Sequence, residues 1–377
     1  MAIGIICEYN PFHNGHLHHI KKIKELYNNE EIILVLSGNF TQRGDLSIIE
    51  KYDKATIALE YGVDLVVELP FQFVTQSADI FAKGSIEILN HLKCNKIIFG
   101  SESNNIEQLK HLAKTQINNK EYETLVKKQL DKGINYPTAM SNALKEITNL
   151  TVTTPNDLLG LSYIKEIEKN KYNITPISIQ RTNNYHQKEL LNEVTSATSI
   201  RNGLKENKDI TKYVPKKVIH FINNEILEQK YFELLKYRII SEHSNISKYQ
   251  TVDEGIENRI IKYINKANTL EELVELIKTK RYTHSKIKRM LIHILCSFTK
   301  EERKKYNQIN YIRILGFNTK GKNYINKIKK DLNIPLITNI NKTNISLLEL
   351  ELKCDTIYNL IAKRNDNLYS KKPIIKP

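Results

Sequence analysis

The sequence predicts an α/β fold: a Rossmann-like parallel sheet followed by a basic, mainly helical C-terminal region. Three observations carry that reading. Short apolar runs at 3–7 (IGIIC), 31–36 (EIILVL), 64–69 (DLVVEL) and 96–99 (KIIF) alternate with stretches whose apolar residues recur at helical spacing, the pattern of strands covered on both faces by crossover helices. His13-Asn14-Gly15-His16 falls where the first of these runs gives way to the first helix, and ligands of such sheets sit at the carboxyl ends of the strands. Charge is divided unevenly: residues 1–210 hold 24 Lys+Arg against 25 Asp+Glu, a balance of −1, while residues 211–377 hold 33 against 17, a balance of +16.

Taken in order, residues 3–7 form a buried strand, and Leu17, Ile20, Ile23 and Leu26 mark one face of the helix behind it. The strand at 31–36 is followed by an amphipathic helix over 51–61, which leads to the strand at 64–69. A helix over 78–92 then reaches the strand at 96–99. Residues 104–150 read as helical, with a fresh start at Tyr136-Pro137-Thr138, and Thr154-Pro155-Asn156-Asp157 begins another helix. Residues 174–181 (ITPISIQR) return as a strand ending in Arg181, and Ser196-Ala-Thr-Ser-Ile-Arg201 opens a helix with hydroxyl groups suited to capping it. The polar tails Glu8-Tyr9-Asn10, Ser37-Gly38-Asn39, Pro70 and Gly100-Ser101-Glu102 should converge on one crevice. The sheet domain is expected to span 1–212.

Past that boundary, residues 214–237, 256–264, 270–279 and 285–298 read as amphipathic helices, with cations grouped at Lys278-Thr-Lys280-Arg281 and Lys286-Ile-Lys288-Arg289. Tyr237, Tyr249, Tyr282, Tyr306 and Tyr311 lie among these charges, a composition suited to RNA, although each tyrosine taken singly fits ordinary packing. Lys280, Arg281, Lys288 and Arg289 are the expected RNA contacts. The runs YIRIL at 311–315 and LIT at 336–338 are expected as strands of a small terminal unit.

With 377 residues, 40% of them hydrophobic and 26% charged, the chain can bury a sizeable core. It contains no apolar run of membrane-spanning length and no signal-peptide pattern, so a cytoplasmic protein is expected. Cys7, Cys94, Cys296 and Cys354 are scattered, which suggests neither a disulfide framework nor a protein metal site. A half carrying +16 suits a polyanion, because each neutralised phosphate releases condensed counterions.

The chemistry concentrates at the first turn. The opening N–H groups of a helix and its dipole attract phosphate, and Gly15 lets a ligand approach the main chain. His13 and His16, three apart, share one face. Together they form a clamp for charge growing on an α-phosphate during attack.

His13-Asn14-Gly15-His16 and the later Ser196–Arg201 stretch resemble the two signatures of the nucleotidylyltransferase superfamily. More narrowly, residues 8–16 (EYNPFHNGH), 37–44 (SGNFTQRG) and 99–102 (FGSE) resemble the bacterial tRNA-methionine cytidine acetate ligases. The likeness is strongest over 1–201 and beyond that rests on length and character. It implies an enzyme that joins ATP to acetate as acetyl-adenylate, then passes acetyl to N4 of the wobble cytidine of elongator tRNA-Met. By the same resemblance ATP-binding falls to Cys7, Glu8, Tyr9, Asn10, Pro11, Phe12, His13, Asn14, Gly15, His16, Leu17, His18, His19 and Ile20, and to Gly100, Asn156, Arg181 and Ser199. Read alone, Asn156 would be a helix cap.

His13, His16 and Arg201 are the expected catalytic groups, the histidines on the α-phosphate and the departing pyrophosphate, Arg201 on the β- and γ-phosphates as a fork-shaped donor. Lys51 and Lys54 could add charge but read better as outward faces of a helix. Mg²⁺ should enter with ATP, held by phosphates and water. The sequence departs from the family pattern at Cys7, at Leu46 where a proline is expected, and at Ser199, and none of these removes a phosphate-binding group. A thioester on Cys7 is conceivable, but buried strand cysteines are usually inert. Two rivals stay open: a small-molecule adenylyltransferase of cofactor biosynthesis, which leaves the basic half idle, and a non-catalytic RNA-binding protein, which leaves the phosphate motifs unexplained.

Overall fold

The computed structural model describes residues 1–181, 195–222 and 227–377. Five strands, β1 (Ala2–Cys7), β2 (Glu31–Ser37), β3 (Leu65–Leu69), β4 (Lys96–Ser101) and β5 (Thr175–Gln180), form a parallel sheet in the order β5-β4-β1-β2-β3. The direction of winding reverses between β1 and β4, and the carboxyl ends of those two strands open the crevice that such a reversal creates. Gly4 bonds across to Ile33 of β2 on one side and Ile97 of β4 on the other, so β1 is the central strand.

Alternation along each strand decides which face a residue serves. Ile33, Val35, Leu65 and Val67 point to the layer built by α3 (Phe71–Val74), α4 (Ala78–His91), α5 (Ile106–Asn118), α6 (Lys120–Asp131), α7 (Tyr136–Thr148) and α8 (Pro155–Asn170). Ile32, Leu34, Leu36 and Val66 point to the opposite layer, where α1 (Asn14–Leu26) contributes Ile20 and Ile23, α2 (Lys51–Glu60) contributes Ala55 and Ile57, and α9 (Ala197–Lys205) and α10 (Lys216–Ile219) contribute Ile200 and Val218.

The basic half forms its own helical core from α11 (Leu227–Ser241), α12 (Ile256–Ile264), α13 (Leu270–Ile277) and α14 (His284–Leu295). Phe40, Leu46 and Phe71 of the first half are part of that same core. After α15 (Lys300–Lys305) the chain returns: β6 (Ile312–Phe317) joins the sheet antiparallel to β3, and β7 (Leu336–Ile337) and β8 (Ile374–Ile375) pair with β6. Between them lie α16 (Thr319–Ile328) and α17 (Glu349–Ile361).

Two expectations are corrected. The runs at 311–315 and 336–338 do not make a separate terminal unit, because β6 pairs the edge of β3 that would otherwise be left open. Residues 214–237 are not one helix: α10 ends at Ile219, α11 begins at Leu227, and residues 223–226 of that expectation lie outside the described residues.

Candidate active site

Tyr9, just past β1, takes a left-handed backbone (φ 50°), a conformation that costs a non-glycine residue energy and that collects at functional sites. Tyr9 is buried and packs edge-on against Phe12 and His16, which makes the aromatic floor of the turn. His13 then caps α1. Its Nδ1 accepts the Gly15 N–H (3.1 Å), and the His13 N–H in turn donates to Nδ1 of His16 (3.2 Å). Accepting at Nδ1 leaves the proton of each ring on Nε2. The rings stack, with centroids 3.8 Å apart.

Burial pulls the pKa of His13 down to about 3, helped by Arg181 and Arg201, and burial with His13 beside it holds His16 well below the ordinary value. Both rings are therefore neutral at pH 7, each offering an Nε2–H donor, and the positive charge of the site comes from arginines. Asn14 anchors the turn instead, its N–H to the Tyr213 carbonyl (3.0 Å) and its Nδ2 to that of Lys212 (2.8 Å). Leu17 and Ile20 pack into the core. His18 is exposed, while His19 Nε2 is buried without a partner among the described residues.

Across the crevice, the Arg181 N–H donates to the Ser101 carbonyl (3.0 Å). A Cβ on Gly100 would stand 3.1 Å from Arg181 Cγ, so the glycine gives the arginine stem room beside the strand end. Arg181 Nε is buried with no partner among the described residues, and desolvation lowers the guanidinium pKa. Asn156 lies inside the first turn of α8 and donates Nδ2 to Glu102 (2.6 Å). Glu102 also accepts the Asp157 N–H (3.1 Å), while Asp157 accepts the Ser103 N–H (3.0 Å), a reciprocal pair of bonds between the loop after β4 and the first turn of α8. Thr154 stands at the N-cap position of α8 without a side-chain cap bond of its own, and the capping acceptor is Glu102, just past β4, and not Asn156.

The second motif closes on the first. Ser196 caps α9 by accepting the Ser199 N–H (3.1 Å), and Ser199 is fully buried. Arg201 donates NH1 to the carbonyl of Asn10 (2.7 Å), with its side chain 19% exposed, so its head lies at the first motif and does not stand in water. Its NH2 is 3.6 Å from Asp45. Glu8 accepts the Gln42 N–H (2.5 Å), and the loop after β2 thereby joins the same wall.

Two lysines correct the sequence reading. Lys51 and Lys54 do not face outward; both are fully buried. Lys54 donates to the carbonyls of Glu8 (2.9 Å), Ser37 (2.7 Å) and Gly38 (2.6 Å), tying the ends of β1 and β2 together, and burial draws its pKa down to about 7. Lys51 meets Glu68 (2.6 Å) and Asp355, and Arg313 of β6 reaches the same two carboxylates at 3.3 and 3.5 Å. Two cations thus share two carboxylates, the pairing that makes buried charge tolerable. The carboxylate Asp355 lies some 300 residues from Lys51, so no local pattern could reveal it. Asp45 is the residue of this wall that motif reading passed over, although it directly follows the 37–44 run.

The four expected RNA contacts separate into two kinds. Lys280 and Arg281 are exposed, with Arg281 3.2 Å from Glu254. Lys288 is committed to Asp45 (2.9 Å) and Arg289 to the Gln42 carbonyl (3.1 Å), with burial lowering the Arg289 pKa to about 10. Of the interleaved tyrosines, Tyr249, Tyr282, Tyr306 and Tyr311 are buried, and Tyr237 is 71% exposed.

The crevice therefore gathers N–H donors, neutral imidazoles and guanidinium groups, an assembly able to hold an extended anion and to stabilise charge growing on its oxygens. A thiol nucleophile does not fit, since burial pushes the Cys7 pKa up to about 12. No described helix is long and apolar enough to cross a membrane.

Residues 1–372 match the family model described as HIGH Nucleotidyl Transferase. A protein of Geobacillus sp. (strain WCH70) named tRNA(Met) cytidine acetate ligase is 40% identical over 95% of this chain and 91% of its own length. One of the same name from Clostridium acetobutylicum is 37% identical over 99% of both chains. Two crystal structures of Thermotoga maritima TmcAL superpose at 30% identity over 100% of this chain and 99% of that one, the apo form with TM-score 0.90 and the form bound with alpha-thio ATP with TM-score 0.87.

Proposed function

The chain belongs to the HIGH nucleotidyl transferases and, among them, to the tRNA(Met) cytidine acetate ligases, and from that premise we propose that it acetylates N4 of the wobble cytidine (position 34) of elongator tRNA-Met, using ATP and acetate. The observation that carries the reading is the meeting of the two motifs, Arg201 on the Asn10 carbonyl beside the neutral pair His13 and His16.

An acetate oxygen attacks the α-phosphorus, the bond to the bridging oxygen breaks, and pyrophosphate leaves. The amine N4 then attacks the acetyl carbonyl, AMP departs, and the amine proton is lost. The first step needs alignment and charge stabilisation and no side-chain nucleophile. His13 and His16 donate Nε2–H to the α-phosphate, Arg201 takes the β- and γ-phosphates, and Arg181 adds charge near the adenylate. ATP enters as its Mg²⁺ complex, with the ion held by phosphates and water. The commitment of Asp45 to Lys288 and Arg201, and of Glu102 to Asn156 and Asp157, supports this.

Residues 1–212 carry the adenylation motifs, and the basic helices within 213–377 dock the tRNA, in the cytoplasm. The test is ATP–pyrophosphate exchange measured with and without acetate and tRNA, followed by analysis of the acetylated nucleoside. Exchange that requires acetate is the expected result. Exchange driven by a phosphorylated cofactor precursor would refute it, as would a failure to bind ATP.

A further inference from the structure

The loop Thr41–Asp45 touches both halves of the protein within five residues. It is closed on itself: the Thr41 N–H donates to the Asp45 carbonyl (3.0 Å), the Gly44 N–H to the Thr41 carbonyl (3.0 Å), and the Asp45 N–H to Thr41 Oγ1 (3.0 Å). Its inner side meets the first motif through Gln42 and Glu8. On the outer side Gly44 has φ +82° and lies so close to α14 that a Cβ there would stand 2.4 Å from the Arg289 nitrogen. Asp45, at the end of the loop, uses both carboxylate oxygens. Oδ1 takes Lys288 of α14 at 2.9 Å, and Oδ2 faces Arg201 at 3.6 Å. Burial alone would raise the pKa of Asp45, yet Lys288 and then Arg201 hold it below the ordinary value, so the carboxylate stays ionised at neutral pH.

A carboxylate beside a phosphate-binding arginine looks counterproductive, since it repels the phosphates. A guanidinium that must meet oxygens in a set plane gains from being held there beforehand, and a fixed second partner can hold it. The Asn10 carbonyl takes NH1, while NH2 donates to Thr198 Oγ1 (3.4 Å) and is faced by the Asp45 carboxylate at 3.6 Å, so the Arg201 fork is constrained at both prongs.

We propose that Asp45 is a positioning residue for Arg201, and that Lys288 fixes Asp45 in turn, so that α14 of the basic half completes the adenylation site. This rests on the reading of Arg201 as a phosphate-binding group. It also gives Lys288 a role other than RNA contact. The loop acts as a strut: α14 sets Asp45, Asp45 sets the guanidinium, and the basic half contributes to the chemistry before any tRNA arrives.

The test is acetate-dependent ATP–pyrophosphate exchange by the full chain, without tRNA. Asp45→Asn keeps the size of the side chain and removes its charge. Its kcat should fall about ten- to a hundredfold, the scale of a misplaced catalytic group, while KM for ATP stays the same or falls, because one negative charge beside the phosphates is gone. A loss through general disorder would raise KM instead. Asp45→Glu should recover part of kcat. Lys288→Met should lower kcat less than Asp45→Asn, and the double variant should be no worse than Asp45→Asn alone. An unchanged kcat for Asp45→Asn would overturn the proposal, as would a raised KM at constant kcat. So would a Lys288→Met enzyme with full exchange and weakened tRNA binding. Absence of acetate dependence in the unmodified protein would instead refute the proposed function, and that control is read before any variant.

Discussion

Replacing His13 with asparagine should make the protein less sensitive to acid. His13 caps α1 with Nδ1, and burial beside Arg181 and Arg201 brings its pKa to about 3 from the ordinary 6.5. In the unfolded chain the ring takes up a proton near pH 6.5, whereas in the folded protein it resists until about pH 3. The stability this provides is therefore fully present above pH 6.5 and is lost progressively as pH falls toward 3. At pH 4.5, about two units below the unfolded value, the loss from this one ring is about 3 kcal/mol, at about 1.4 kcal/mol per unit. Asparagine is a good cap and can still accept the Gly15 N–H, so the change removes the titration and leaves the turn intact. Denaturant unfolding of both proteins at pH 7.0 and pH 4.5 yields the difference directly: the variant should lose about 3 kcal/mol less than the parent over that interval. Ring-proton chemical shifts supply a second reading, and His13 should not titrate between pH 8 and 4. A ring that titrates near 6.5, or equal acid sensitivity in the two proteins, would refute the neutral-donor account of the site.

His16→Ala removes a neutral donor from the proposed α-phosphate site and should cost about two to three orders of magnitude in exchange rate with the fold preserved; a folded variant with nearly full activity removes His16 from the chemistry. Arg201→Lys keeps the charge but not the fork, so adenylation should slow while transfer from chemically prepared acetyl-adenylate stays close to normal. Equal defects in the two assays would show that Arg201 does not act through the leaving pyrophosphate. Replacing the exposed pair Lys280 and Arg281 with neutral residues should weaken tRNA binding and flatten its salt slope by about one unit per lost phosphate contact, leaving ATP affinity in place. Unchanged tRNA affinity across several salt concentrations would move the RNA surface elsewhere.

The residue pattern was enough for the α/β class, five parallel strands to within a few residues, the place of the first motif at a strand-to-helix turn and the division of charge. Those features are local. A strand buried on both faces must be apolar, an exposed helix start must be capped, and charge can be counted. Arg201 was marked only by the likeness of Ser196–Arg201 to a family signature, and nothing local says that Arg201 bends back to the Asn10 carbonyl. The remaining features depend on contacts between distant parts of the chain. Lys51 and Lys54 have the spacing of a solvated helix face, yet the fold buries them because their partners come from elsewhere: the carbonyls of Glu8, Ser37 and Gly38 for Lys54, and Glu68 and Asp355 for Lys51. Lys288 and Arg289 have the look of an RNA stripe but serve the loop after β2. A charged side chain is written the same way in a sequence whether its partner is water, a phosphate or a carboxylate from the far end of the chain. Only the packing of β6, α14 and α17 against the first half settles which, because the cost of burying a charge depends on the partner that the fold brings to it.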